Sequence, residues 1–184
     1  MRSFDSDPSV VVTDARGQRT HRDSLAHSAR LARAFTEVRP GVWTLVGNGL
    51  SNQSFIEGPE GIIAIDTGEC VEEMASALAE LRQKTSKPVV AVLYTHFHYV
   101  GGTRAILDEA GRTLPIYGHE GIPGNLARVT SEVGPAYSSG LTHQFGMRLP
   151  ADGPDGLVIT GLGLFFRSPD HAPYTPGYLD PTKT

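Results

Sequence analysis

Ile62-Ile63-Ala64-Ile65 and Val89-Val90-Ala91-Val92-Leu93-Tyr94 are two unbroken apolar runs, and the segment between them has helical period. In that segment Val71, Met74, Ala75, Leu78 and Leu81 fall on one stripe. Acidic residues sit at its start and Arg82 and Lys84 at its end, as the helix dipole favours. Apolar runs of this kind read as strands buried on both faces. Strand, helix and strand in this order form a βαβ unit, whose two strands run parallel. The unit rules out an all-helical or all-β chain and predicts an α/β fold.

The flanks extend this reading. Val42-Trp43-Thr44-Leu45-Val46 and Ser54-Phe55-Ile56-Glu57 have strand character, and the turn Gly58-Pro59-Glu60-Gly61 leads into Ile62, so a meander precedes the βαβ unit. Upstream, Thr20-x-x-Asp23 resembles a capping box, and Leu25, Ala29, Ala32 and Phe35 recur at helical spacing. They predict an amphipathic helix over 21–36, ended by Pro40-Gly41, after a polar arm over 1–19. The organisation is therefore an arm and helix over 1–37 and a main domain over 38–184. Beyond Tyr94 the pattern predicts a short helix over 103–110 with Gly111 as its cap, a short strand over 114–119 and a helical stretch over 123–133. Residues 134–184 hold 8 glycines and 7 prolines, with strand signals only at Gly156-Leu157-Val158-Ile159 and Leu164-Phe165-Phe166 and an extended tail from Pro169.

Composition removes several function classes. A net charge of −4 leaves no basic excess for nucleic acid or an anionic membrane. The single cysteine, Cys70, excludes an internal disulfide and a cysteine-cluster metal site. No run approaches a membrane span, and Met1 to Thr13 lacks the apolar core of a signal peptide, so a cytoplasmic location is expected. The glycines form neither a dinucleotide fingerprint nor a P-loop.

The segment that carries chemistry is Thr95-His96-Phe97-His98-Tyr99-Val100-Gly101-Gly102. It follows the carboxyl end of a parallel strand, where open α/β sheets place their ligands. In extended backbone, residues two apart point to one side, so His96 and His98 can reach one ion. The glycine pair lets the backbone turn tightly into the next helix.

Ile65-Asp66-Thr67-Gly68, a helix, and an apolar strand ending in Thr-His-x-His with a Gly-Gly turn resemble the metallo-β-lactamase fold. Gly49-Leu50-Ser51-Asn52-Gln53-Ser54, Tyr94 to Thr103 and Gly161-Leu162-Gly163 resemble its alkyl sulfatase branch. The resemblance covers residues 38–184. It implies an αββα sandwich, here incomplete towards the C-terminus, with zinc at one sheet edge. It also implies hydrolysis of sulfate esters of long-chain alcohols by a metal-activated water. The family motif reads Thr-His-x-His-x-Asp-His-x-Gly-Gly, and this chain lacks the Asp-His pair that supplies the second metal. One zinc ion, held by His96 and His98, is the resulting expectation.

Glu132 is the first candidate to complete the shell and Glu120 the second, since the branch uses Glu ligands. His119 and His143 are further candidates, His143 reading rather as surface, and His21, His27 and His171 read as solvated. Asp66 is expected to support the metal loop by hydrogen bonding, or to stabilise the helix N-terminus. Tyr99 and Tyr137 read as packing residues that could meet a sulfate, and Cys70 as a structural thiol. Two functions follow. One is a metal-dependent hydrolase acting on a small-molecule ester. The other is an inactive protein of this fold, a binding or assembly module whose uncovered sheet predicts homo-oligomers.

Overall fold

The computed structural model describes residues 7–164 and 167–184. Within the expected polar arm, the described residues from 7 onward hold regular structure. β1 (Val11–Thr13) pairs antiparallel with β2 (Arg19–His21) in a small hairpin. Helix α1 (Arg22–Ser28) follows, capped by His21, whose Nδ1 accepts the Asp23 N–H at 3.1 Å. That imidazole takes the place of the expected Thr20 capping box. The helix also stops earlier than its periodicity predicts. After a 3-10 turn at Ala29–Leu31 the chain forms β3 (Ala34–Arg39), which runs across residue 37 into the main sheet. Phe35 lies on this strand against Phe55, ring centroids 6.1 Å apart. A full ladder of partners on the next strand outweighs a weak helical stripe.

The remaining strands are β4 (Val42–Val46), β5 (Gln53–Glu57), β6 (Ile62–Ile65), β7 (Val89–Leu93) and β8 (Ile116–Tyr117). With β3 they form one sheet in the order β3-β4-β5-β6-β7-β8. Pairing is antiparallel from β3 to β6 and parallel from β6 to β8. The expected meander and βαβ unit are both present. Helix α2 (Val71–Arg82) makes the crossover, and α3 (Thr103–Ala110) follows β7. Gly111, at φ +61, ends α3 by donating its N–H to the Leu107 carbonyl at 2.9 Å. Helices α4 (Ile122–Thr130) and α5 (Gly134–Gln144) complete the set.

The core lies between one sheet face and α2 and α3. Trp43, Leu45, Phe55 and Ile62 meet Met74, Leu78, Leu81 and Ile106 there. The opposite face differs from expectation. Ile63 and Leu93 are 38% and 37% exposed, so this face of β6 and β7 is only partly covered, although Ala91 on it is buried. Register places Ile63 beside Ile56, and Leu93 between Ile65 and Tyr117, as a continuous apolar stripe. Among the described residues the fold is mixed α/β with one six-stranded sheet, and no second sheet covers the stripe.

One expectation after residue 133 needs correction: 156–159 form no strand, while residues 134–144, for which the pattern gave no element, are helical. Phe165 and Phe166 lie outside the described residues. The proline-rich tail is extended apart from a 3-10 turn at Pro169–His171, and it acts as a strap. The Val71 N–H donates to the Thr175 carbonyl, and the Arg104 N–H to the Gly177 carbonyl, both at 2.9 Å. Lys183 then bridges β8 at Tyr117. Among the described residues no helix is long and apolar enough to cross a membrane.

Candidate functional site

Two loops leave the carboxyl ends of the parallel strands β6 and β7 and are clamped together. The Thr67 N–H donates to the Tyr99 carbonyl (2.8 Å) and the Gly101 N–H to the Gly68 carbonyl (2.9 Å). The approach is so close that only glycine fits at two positions. A Cβ on Gly101 would lie 2.1 Å from the Glu69 carbonyl oxygen, and one on Gly102 would lie 2.1 Å from that of Thr67.

This clamp orients the first histidine. Asp66, in the left-handed region at φ +54, accepts the Thr95 N–H (2.9 Å) on one carboxylate oxygen and the Thr95 hydroxyl (2.7 Å) on the other. Thr95 Oγ1 also lies 2.8 Å from His96 Nδ1. Its single proton is committed to the carboxylate, so Nδ1 carries the proton and donates. That tautomer leaves the His96 Nε2 lone pair free for a ligand. Asp66 thus supports the loop through Thr95, in keeping with its expected hydrogen-bonding role.

His98 stands beside it, ring centroids 5.2 Å apart. Its ring packs on Phe97 at 4.0 Å. Partial burial, then the neighbouring His96, hold its pKa below the ordinary range. A neutral imidazole is the form that binds metal.

The other expected ligands lie elsewhere. Glu120 and Glu132 are exposed and outside the cavity that His98 faces. His119 is exposed, and its Nδ1 accepts the Gly121 N–H (3.0 Å) ahead of α4. His143 is an exposed residue of α5 with Nδ1 2.8 Å from the Ser139 carbonyl. Among the described residues no three His, Cys, Asp or Glu side chains are grouped to hold a metal. His96 and His98 offer two donors, whereas a catalytic zinc takes three protein ligands. The described residues therefore do not make a closed zinc centre.

A cavity of about 890 Å³ opens beside the His loop. Phe97, Leu126, Leu141 and Phe145 make it apolar; His98, Tyr99, Glu69 and Arg167 give it polar groups. Tyr137 lines it too. Glu69 is pushed up to about 7, first by burial, then by the carboxylate of Glu73, with Arg167 pulling the other way. Burial is also the main cause that raises Glu73. Glu73 is fully enclosed, accepting Gln53 Nε2 (2.7 Å) and the Glu69 N–H (3.0 Å). Asn48 ties Gln53 to the Glu73 carbonyl, and His171 Nε2 lies 2.7 Å from the Asn48 carbonyl. His171 is therefore buried, not solvated, because the strap carries it under the Asn48 loop. Cys70 is buried and its thiol is pushed up to about 11, chiefly by burial, which fits a structural thiol.

Glu69 and Arg167 escaped the sequence reading. Glu69 looked like one more acidic residue at a helix start. Its signal was position, in the loop after Asp66-Thr67-Gly68 at a parallel strand's carboxyl end. Arg167 had no local signal.

A family model described as the metallo-β-lactamase superfamily matches residues 46–124. A linear primary-alkylsulfatase of Pseudomonas sp. is 37% identical over 113 residues, 59% of this chain and 21% of the relative. An (R)-specific secondary-alkylsulfatase of Pseudomonas sp. is 30% identical over 151 residues, 78% of this chain and 23% of the relative. A solved double mutant of the sec-alkyl sulfatase PisA1 superposes with a TM-score of 0.72 at 27% identity. It covers 86% of this chain and 26% of that one. The chain spans about a fifth of the length of the curated relatives it matches. Over the shared region it belongs to the metallo-β-lactamase superfamily, in the alkylsulfatase branch.

Proposed function

We propose that the chain serves sulfate-ester hydrolysis of the alkylsulfatase kind, with the ester's alcohol part in the apolar cavity and its sulfate end at the His96–His98 loop. The observation that carries this reading is the junction of an apolar cavity with that loop. A volume of about 890 Å³ falls within the range of small-molecule sites. Leu126, Leu141 and Phe145 take the hydrocarbon, and Arg167 offers a guanidinium suited to the sulfate oxygens. Glu69, pushed up to about 7, keeps its proton below neutral pH and there adds a donor in place of a repelling charge. Family members typically use zinc, which would lower the pKa of a bound water. The two donors present, His96 and His98, fall short of the three protein ligands such a zinc takes. The incomplete donor set favours a second reading, in which the chain holds such esters without turning them over.

Metal analysis and dodecyl sulfate assays on wild type, His96→Ala and His98→Ala separate the two. About one zinc per chain, lost in both variants together with sulfate release, supports the hydrolase. Saturable binding of the ester with neither zinc nor release supports the binding module. A wild type that neither binds nor cleaves the ester overturns both.

The same reading gives the stripe of Ile56, Ile63, Leu93 and Tyr117 a role as a surface between copies of the chain. Exposed apolar patches of this kind mark association surfaces. Sedimentation should show wild type self-associating and a Leu93→Lys, Ile63→Lys double variant as a folded monomer. A wild type that stays monomeric at high concentration sinks this idea.

A further inference from the structure

A second cavity, about 550 Å³, lies beyond the C-terminal end of α5. Leu25, Leu149, Leu157, Val158 and Leu164 line it. Its polar borders are internally satisfied: Gln18 Nε2 donates to the carbonyls of Ala151 (2.6 Å) and Leu157 (2.9 Å), and Arg16 pairs with Asp152 at 2.7 Å. Two described residues, Phe145 and Arg167, line both cavities. Phe145 is 7% exposed and held in place by the chain on both sides. Its N–H donates to the Leu141 carbonyl at 3.0 Å, closing α5. The next residue, Gly146, takes φ +59, where a Cβ would lie 2.9 Å from Leu149 Cδ1 and 3.3 Å from Leu157 Cδ2. The helix end thus delivers a fixed aromatic ring to the boundary, and the left-handed turn carries the chain on to wall the second cavity.

We infer that Phe145 is a partition that sets the length of alkyl chain the site accepts, and that the second cavity is the space a longer chain would enter without it. This rests on the proposed function for the class of ligand and goes beyond it in naming the residue that limits chain length. Each extra methylene moved from water into an apolar cavity tightens binding roughly fourfold. A chain that has filled the first cavity gains nothing further while the ring stands in the way.

Calorimetric binding of n-alkyl sulfates from octyl to hexadecyl, below their micellar concentrations, tests the partition, alongside the same series of plain 1-alkanols. In wild type, affinity should climb with length and level off. In Phe145→Ala the plateau should move to chains several methylenes longer, each tightening binding by about fourfold. Phe145→Leu keeps apolar bulk, guards against a folding failure, and should give a smaller move in the same direction. Val158→Phe in the Phe145→Ala background fills the second cavity and should restore the original plateau.

Sulfate binding whose length dependence is the same in wild type and both Phe145 variants overturns the partition and leaves the proposed function standing. Alkanol binding with the shifted plateau, but no sulfate binding, supports the partition and overturns the sulfate-ester reading. If neither series binds, both fall.

Discussion

Gly102→Ala is expected to cost at least about 3 kcal/mol of stability, the high end for overpacking a rigid site. The added methyl would stand 2.1 Å from the Thr67 carbonyl oxygen, 2.5 Å from Met74 Cβ and 2.7 Å from the Cys70 carbonyl oxygen. Two of these are backbone atoms and the third is the root of a core side chain, so nothing flexible can yield. The damage would spread through Thr103, the first residue of α3. Its hydroxyl lies within hydrogen-bond distance of the Thr67 hydroxyl (3.0 Å) and the Tyr94 hydroxyl (2.6 Å). Gly124→Ala is the control. It sits in α4 with nothing within 4 Å of its Cβ, and should gain about 0.5 kcal/mol from helix propensity. Urea unfolding of the two variants decides the matter. A Gly102→Ala protein as stable as wild type would mean the two loops are not clamped as described.

The second large effect is a loss of stability as pH rises. Unfolded, Glu69 releases its proton near 4.5; folded, it holds it to about 7. Below 4.5 it is protonated in both states and the fold keeps its full stability. Between these values the unfolded chain binds fewer protons than the folded one, so stability falls with rising pH until the folded carboxyl has ionised. The loss is on the order of 3 kcal/mol for Glu69 alone. Glu73, also raised by burial, acts in the same direction. Denaturant titrations from pH 5 to pH 8 should show this decline, and Glu69→Gln should flatten most of it. Stability that stays level or climbs over that interval in wild type would remove Glu69 from the buried position described.

The parts legible in the sequence are those where one physical signal dominates. The runs Ile62–Ile65 and Val89–Leu93 are apolar enough to mark strands of the core sheet, although the face with Ile63 and Leu93 is only partly covered, and the segment between them had to cross over as a helix. Gly111 was legible because a left-handed cap admits few other residues. Signals failed where two readings competed. Phe35 sits at helical spacing from Leu25 and Ala29 and also alternates as a strand residue; only the ladder with β4 decides. Helix α5 has Gly134, Pro135 and Gly140 and no fully buried residue, so no stripe announced it. Gly156-Leu157-Val158-Ile159 is apolar because Leu157 and Val158 wall a cavity, a use that imitates a strand. At the site, Thr95, His96 and Asp66 were legible as a motif. The placement of Glu120 and Glu132 depends on how α4 and α5 pack, which local pattern does not encode.

The terminal strap has a consequence for how this molecule acquires its shape. Thr175 binds Glu72 across 103 positions, the Leu179 carbonyl accepts the Tyr94 hydroxyl across 85, and Thr182 binds Ile116 across 66. Contacts between such distant positions raise the contact order and slow folding, because chain entropy is lost before they can form. On a ribosome, β4 to β7 can assemble early, since their partners are near neighbours. The contacts of α2 and β8 with the strap wait for residues 175–182 to emerge. Until then the buried groups around Asn48 that His171 will join remain open to water. The His-bearing loop is thus completed from behind by a segment made long after it.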